Sequence, residues 1–186
     1  MKTLFIDTHY LDIIIALIEN GNVVRHEEVI NKRNNSEYIF PTIVKVLGDE
    51  SIDEVVVVNG PGSFTGVRLG VTIAKTRAYT LKISLKKIES VKIVEISTNA
   101  KKVALGDSNG YYIGCFDNNH QAITDYYYLS NNDFEKLEDK DEYTKDYILD
   151  IEKVIDYLKN KESINPHSAK PIYVKKIGVE IDKASK

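Results

Sequence analysis

Four consecutive valines, Val55 to Val58, run directly into Asn59-Gly60-Pro61-Gly62-Ser63-Phe64-Thr65-Gly66-Val67-Arg68-Leu69-Gly70, and this junction limits the fold more than any other stretch. A β-branched run without polar alternation fits a strand covered on both faces, in a sheet that carries layers on both sides. Beyond the loop, Val67, Val71, Ala74, Ala78 and Leu81 recur at helical spacing. A buried strand, a glycine-rich bend and a helix in that order are the unit of an α/β protein.

The bend has two chemical uses. Gly60, Gly62 and Gly66 permit positive φ and close backbone approach, Pro61 stiffens the turn, and Ser63 or Thr65 can cap the helix by accepting a backbone N–H bond. Free N–H groups at a helix start attract phosphate or carboxylate, and Arg68 in the first turn adds a charged fork. The glycine spacing matches neither a P-loop, which needs a lysine at the helix start, nor the dinucleotide fingerprint. A tight structural turn and an anion or partner site therefore both stand open.

Ahead of the junction, Leu4 to Asp7, Ile13 to Ile18 and Val23 to Ile30 read as an antiparallel meander with Asn20-Gly21-Asn22 as a tight turn. Ser36 to Leu47 carries Ile39, Ile43, Val46 and Leu47 near helical spacing, includes Pro41, and meets a stop at Gly48. Some hundred residues later the opening pattern recurs: Val103 to Asp107, Tyr111 to Phe116, a turn at Asn118-Asn119-His120, and the strand-like Ala122 to Leu129. Such a repeat predicts two related lobes, residues 1–100 and a shortened 101–186, each opening with a strand that ends in aspartate. Within the second, Asp133 to Tyr143 reads as a solvated helix and loop, Asp150 to Lys159 as a helix, and Pro171 to Val174 as a last short strand or docking segment. The lysine-containing end after Gly178 is expected to fray.

An apolar share of 42% and a charged share of 28% over 186 residues are those of an ordinary globular chain with a substantial core. No apolar run approaches a membrane span, and the first residues read as a strand instead of a secretion leader, so a cytoplasmic setting without membrane contact is expected. The single Cys115 excludes an intrachain disulfide, and its neighbours predict a buried small hydrophobe. A net charge of −3 argues against an independent nucleic-acid binder. The one basic stretch, with Lys82, Lys86, Lys87, Lys92, Lys101 and Lys102 against Glu89 and Glu95, reads as a solvated face, with a weak contribution to RNA docking as the alternative.

Phe5-Ile6-Asp7-Thr8, the loop from Asn59 to Gly70 with Ala74-Lys75, and Pro171-Ile172-Tyr173-Val174-Lys175 together resemble the TsaB family, also called YeaZ. The resemblance covers the first hundred residues well and the second lobe only at its final segment. It implies an actin-like fold of the ASKHA superfamily, which includes HSP70, actin and sugar kinases, with mixed sheets in two related lobes. It further implies a part in synthesis of N6-threonylcarbamoyladenosine beside the tRNA anticodon. Members act as a platform for the paralogous transferase TsaD, joined by the ATPase TsaE, with tRNA reached through the complex. No cofactor is implied for this chain, and ATP and metal are expected on the partner subunits.

The transferase subunit holds metal through a His-x-x-x-His pair on one helix face, and no such pair exists here; His9, His26, His120 and His167 are scattered. No zinc-peptidase motif or Ser, His, Asp constellation is present either. Asp7, Thr8, Gly60, Gly62, Ser63, Thr65, Gly66 and Arg68 are the candidates for a vestigial nucleotide or anion site, with Asp7 and Thr8 more simply organising the following turn. The resemblance places the partner contact on the first two helices, through Ile39, Ile43, Leu69, Gly70, Ile73, Ala74 and Ala78, with homodimers competing for the same face. On that basis Ala74→Arg is expected to break the complex while leaving the fold intact. The rival reading is a small actin-like ATPase or phosphotransferase that uses Asp7, the glycine loop and Asp107.

Overall fold

The computed structural model describes residues 1–30 and 35–175. Strands β1 (Lys2–Asp7), β2 (Ile13–Glu19) and β3 (Asn22–Val29) form the expected meander, with Asn20 and Gly21 both at positive φ in the tight turn. Helix α1 (Asn35–Leu47) leads to β4 (Glu54–Val58), and α2 (Phe64–Leu81) leads to β5 (Ser84–Ile88). The strands stand in the order β3-β2-β1-β4-β5, with β4 parallel to both β1 and β5. Gly48, at φ +57°, closes α1 by donating to the Val44 carbonyl.

The valine run is apolar throughout because both sides of β4 are covered. Val55 and Val57 pack with Leu4 and Ile6 beneath α1 and α2, where Ile39, Ile43, Val71 and Ala74 complete the layer. Val56 and Val58 face the other way, onto Ile88, Ile93 and the helix α5 (Ile151–Leu158). Residues Asp150 to Lys159 thus form the expected helix, yet its apolar side returns to the first sheet.

A second sheet joins β6 (Lys102–Gly106), β7 (Gly110–Cys115) and β8 (Tyr127–Ser130) as an antiparallel meander, so the predicted repeat of three strands is present. The strand expected over Ala122 to Leu129 shortens to β8; before it only an isolated bridge ties Ala122 to Phe116. The predicted solvated stretch after Asp133 instead anchors the sheet: α4 (Asn131–Glu135) buries Phe134 completely against Tyr111 and Tyr143. Cys115 is half-buried beside Tyr143, more open than expected.

The largest correction concerns the lysine-rich stretch. It contains β5 and a helix, α3 (Ser90–Thr98), wedged between the two sheets: Ile93 belongs to the first core, while Val91 and Val94 belong to the second. Lys86 is buried against Glu54 at 3.0 Å and donates to the Leu158 carbonyl, and Lys92 is buried against Glu95 at 2.8 Å. Lys82 and Lys87 alone keep the solvated character. A helix covered on every side has no amphipathic period, and its charges survive burial because they are paired.

Gly70, Ala74 and Ala78 are also buried, and Ala74 has no exposed surface. Ala74→Arg would therefore drive a charged side chain into the layer between α2 and the sheet. The fold-preserving outcome is withdrawn. The substitution is now expected to cost more than about 4 kcal/mol and abolish cooperative unfolding; a wild-type circular dichroism melt would show this placement to be wrong.

Candidate functional site

The end of β1 and the start of α2 meet with no room between them. A Cβ added at Gly62 would collide with the His9 carbonyl, one at Gly66 with the Thr8 carbonyl, and one at Gly70 with the Thr8 hydroxyl. Three glycines at intervals of four thus form one face on which the backbone after β1 lies. Polar bonds hold the approach: Ser63 N–H donates to the His9 carbonyl at 2.6 Å and the Thr8 hydroxyl donates to the Gly66 carbonyl at 2.7 Å. Ser63 caps α2 by accepting from Gly66 N–H, whereas Thr65 is exposed and makes no cap. Gly60 takes φ +100°, and Arg68, also exposed, stacks on the Phe64 ring at 4.9 Å. Of the two uses left open for the bend, the close approach of the strand end to Gly62 and Gly66 fits the tight structural turn.

Asp7 is fully engaged beneath this contact. One carboxylate oxygen accepts from the His9 N–H at 3.0 Å and meets His9 Nδ1 at 2.6 Å; the other accepts from the Tyr147 hydroxyl at 2.6 Å. Burial pushes the carboxyl upward, but the charge and hydrogen bonds of His9 and the Tyr147 hydroxyl outweigh it and hold it below its ordinary 3.8. Tyr147 is pushed well above its usual range by burial and by the facing carboxylate. The preference for Asp7 and Thr8 as turn organisers agrees with this geometry. His9, two residues from Asp7, was the legible clue to it; Tyr147 lies 140 residues away and gave none.

The matching aspartate of the second sheet, Asp107, closes its own turn. It accepts from the N–H groups of Asn109 and Gly110, from the Tyr128 hydroxyl at 2.6 Å, and from Lys175 at 3.0 Å. Burial raises its carboxyl, while Tyr128, the Asn109 N–H and Lys175 lower it further, and nearby Tyr112 is pushed up to about 12 chiefly by burial. Between the two aspartates lies a cleft of about 790 Å³, walled by His9, Pro61 to Phe64, Asp107 and Tyr112. The segment Pro171 to Lys175 borders it as a docking strap, not a strand: Ile172 N–H donates to the Asn59 carbonyl and Tyr173 stacks near Phe64 at 5.4 Å.

The expected partner residues divide. Ile39, Ile43, Gly70, Ala74 and Ala78 are buried within the chain, while Leu69 and Ile73 are half-exposed on α2. Sequence reasoning passed over the apolar side chains that do reach the surface of α1, Phe40 and Val44, which are 59% and 52% exposed. Their signal was apolarity off the core-facing stripe. The four histidines remain apart, and among the described residues no group of three or more histidine, cysteine or acidic side chains is placed to hold a metal ion.

Residues 29–180 match the family model described as TsaD: tRNA N6-adenosine threonylcarbamoyltransferase. A relative from Bacillus subtilis (strain 168), named tRNA threonylcarbamoyladenosine biosynthesis protein TsaB, is 36% identical over 96 residues, a match taking in 49% of this chain and 42% of that protein. Two solved structures from Pseudomonas aeruginosa share the fold at 16% identity. A protein with similarity to peptidase YEAZ has a TM-score of 0.73 over 94% of this chain and 99% of its own. YeaZ has 0.72 over 92% and 99%. With the strand order of the first sheet and the repeated meander, this is the expected α/β fold, shared with the YeaZ structures and with a shortened second lobe; the first sheet is mixed as expected, whereas the second is wholly antiparallel.

Three substitutions test the site. Gly66→Ala should destabilise by about 2 kcal/mol in denaturant unfolding, because the Thr8 backbone cannot retreat. Gly106→Ala, whose Cβ would meet nothing nearer than 3.5 Å, should cost under about 1 kcal/mol; equal effects would deny the close approach. Asp7 is depressed in the folded state, so its contribution is complete above its unfolded value and is lost as pH falls through the lower folded one. Tyr147→Phe should remove about 1–3 kcal/mol at neutral pH and shift the acid unfolding midpoint upward; an unmoved midpoint would mean that Tyr147 does not hold the carboxylate.

Proposed function

The chain belongs to the TsaD family, tRNA N6-adenosine threonylcarbamoyltransferase, in its TsaB (YeaZ) branch, and from that membership we propose a non-catalytic scaffold and activator in N6-threonylcarbamoyladenosine modification of tRNA. It docks a TsaD-type transferase and lets a TsaE-type ATPase join, with ATP and metal on those subunits and tRNA reached through the assembly. The setting is cytoplasmic; among the described residues no helix is long and apolar enough to cross a membrane.

The observation that carries this reading is the internal use of Asp7 and the glycine loop. Both carboxylate oxygens have partners within the chain, and the backbone after β1 lies against Gly62 and Gly66 and takes the Ser63 N–H. The rival phosphotransferase requires Asp7 and Asp107 to be free for nucleotide or metal, and both are engaged. Residues 1–100 are the partner-facing unit in this reading, and 101–186 are the shortened second one.

The docking surface is the outer side of α1 and α2. Ile39, Ile43, Gly70, Ala74 and Ala78 act from inside by seating the helices, and Phe40, Val44, Leu69 and Ile73 meet the partner. A second copy of the chain can compete for the same side. Contact there biases the transferase toward its active arrangement only as far as binding prefers that arrangement.

Reconstitution with the transferase and ATPase subunits of the same organism tests the proposal. Modified tRNA is expected only when this chain is present, and the chain alone with magnesium and ATP should show neither hydrolysis nor a thermal shift. Full modification without it, or ATP turnover by the isolated chain, would favour the rival.

A further inference from the structure

The surface between α1 and α2 has a defined layout. Both helices return from one parallel strand to the next, α1 from β3 to β4 and α2 from β4 to β5, so they run side by side in the same direction. Lys45 pairs with Glu27 of β3 at 2.7 Å, fixing one flank of α1 and turning Phe40 and Val44 to the flank nearer α2. On α2 the rings of Phe64 and Tyr79 meet Tyr173 and His167 of the C-terminal segment, which leaves Leu69, Ile73 and Arg77, spaced by four, on the flank toward α1. Phe40 and Val44 on α1, and Leu69 and Ile73 on α2, lie one turn apart, so each helix carries two apolar rungs.

Arg77 stands one turn below those rungs with its charge unanswered. Its Nε is buried without a hydrogen-bond partner, and no described acidic side chain pairs with it. Burial alone pulls its pKa down, the signature of a cation losing water without gaining a counter-charge. α2 contains Arg68, Lys75 and Arg77 and no acidic residue at all. α1 has a single acid, Glu37, which is already engaged within the chain. A second copy laid on this seam therefore brings apolar surface but no free carboxylate from either helix.

We propose that Arg77 is the specificity-determining contact of the α1–α2 seam and that its natural occupant is an amphipathic helix of a different protein, carrying a carboxylate one turn beyond its apolar side chains. This rests on the docking surface assigned above and adds how that surface distinguishes a foreign helix from its own copy. The carboxylate completes the fork of the guanidinium while the apolar side chains cover Phe40, Val44, Leu69 and Ile73. In the free chain the Nε of Arg77 lacks a hydrogen bond; paired in the complex, the guanidinium selects the partner.

The test sets stability against binding, using the full chain and the transferase-type subunit of the same organism. Arg77→Leu removes a half-exposed cation whose Nε alone lacks a hydrogen bond, so the free chain should melt no lower than the wild type, while calorimetric affinity for the subunit falls about 100-fold. Phe40→Asp probes the seam itself and should also weaken binding. Wild-type affinity in Arg77→Leu with lost affinity in Phe40→Asp would overturn the role of Arg77 and leave the docking surface standing. Unchanged affinity in both would remove the surface as well. A lower melting temperature in Arg77→Leu would make Arg77 a structural residue, and loss of self-association alone by sedimentation would make the second copy the occupant; each overturns the proposal.

Discussion

The backbone of Thr8 and His9 lies directly on a face made of Gly62, Gly66 and Gly70, and the rest of the molecule is arranged around that approach. It sets the height of α2 above the sheet, which in turn places α1 and the seam between the two helices. It also takes the N–H of Ser63 and fills the bend that glycine composition alone would allow to cradle an anion. The glycines of the loop face a strand end at contact distance, which gives them a packing role.

Long-range polar ties then attach the later chain to this frame. Tyr147 reaches Asp7, Lys86 reaches the carbonyl that ends α5, and Lys175 reaches Asp107 from the strap that also bonds Asn59. The first two ties hold polar groups where water is scarce, while the third joins partly exposed ones. The two sheets share α3 as a common wall, so a change in the core of one reaches the other through Ile93, Val91 and Val94. The last of these ties, Lys175 to Asp107, borders the cleft.

Much of the first lobe was legible because its burial is periodic. The valine run, the meander with its Asn20-Gly21 turn, Gly48 as a stop and the helical spacing of α2 each express a local rule that the structure obeys. α3 was not legible: a helix covered on both sides shows no amphipathic stripe, and Lys92 and Glu95 look solvated until seen paired. Phe134 hid similarly in a charge-dense stretch, as one ring whose partners Tyr111 and Tyr143 lie on separate segments. Of the candidate site, Asp7 and Thr8 were legible as turn organisers, but the contact that Gly62, Gly66 and Gly70 make with the strand end was not. Ala74 was placed on a surface that it does not reach.

The sequence by itself determined the α/β alternation, the strand-bend-helix junction and the repeated opening strand, because each depends on neighbours within a few residues. Tertiary structure alone decided how closely the glycine loop lies on the strand end, which face of α1 and α2 is left outside, and that Arg77 has no counter-charge among the described residues. Those outcomes depend on what stands opposite a residue across the fold, and the spacing of residues along the chain does not encode that distance.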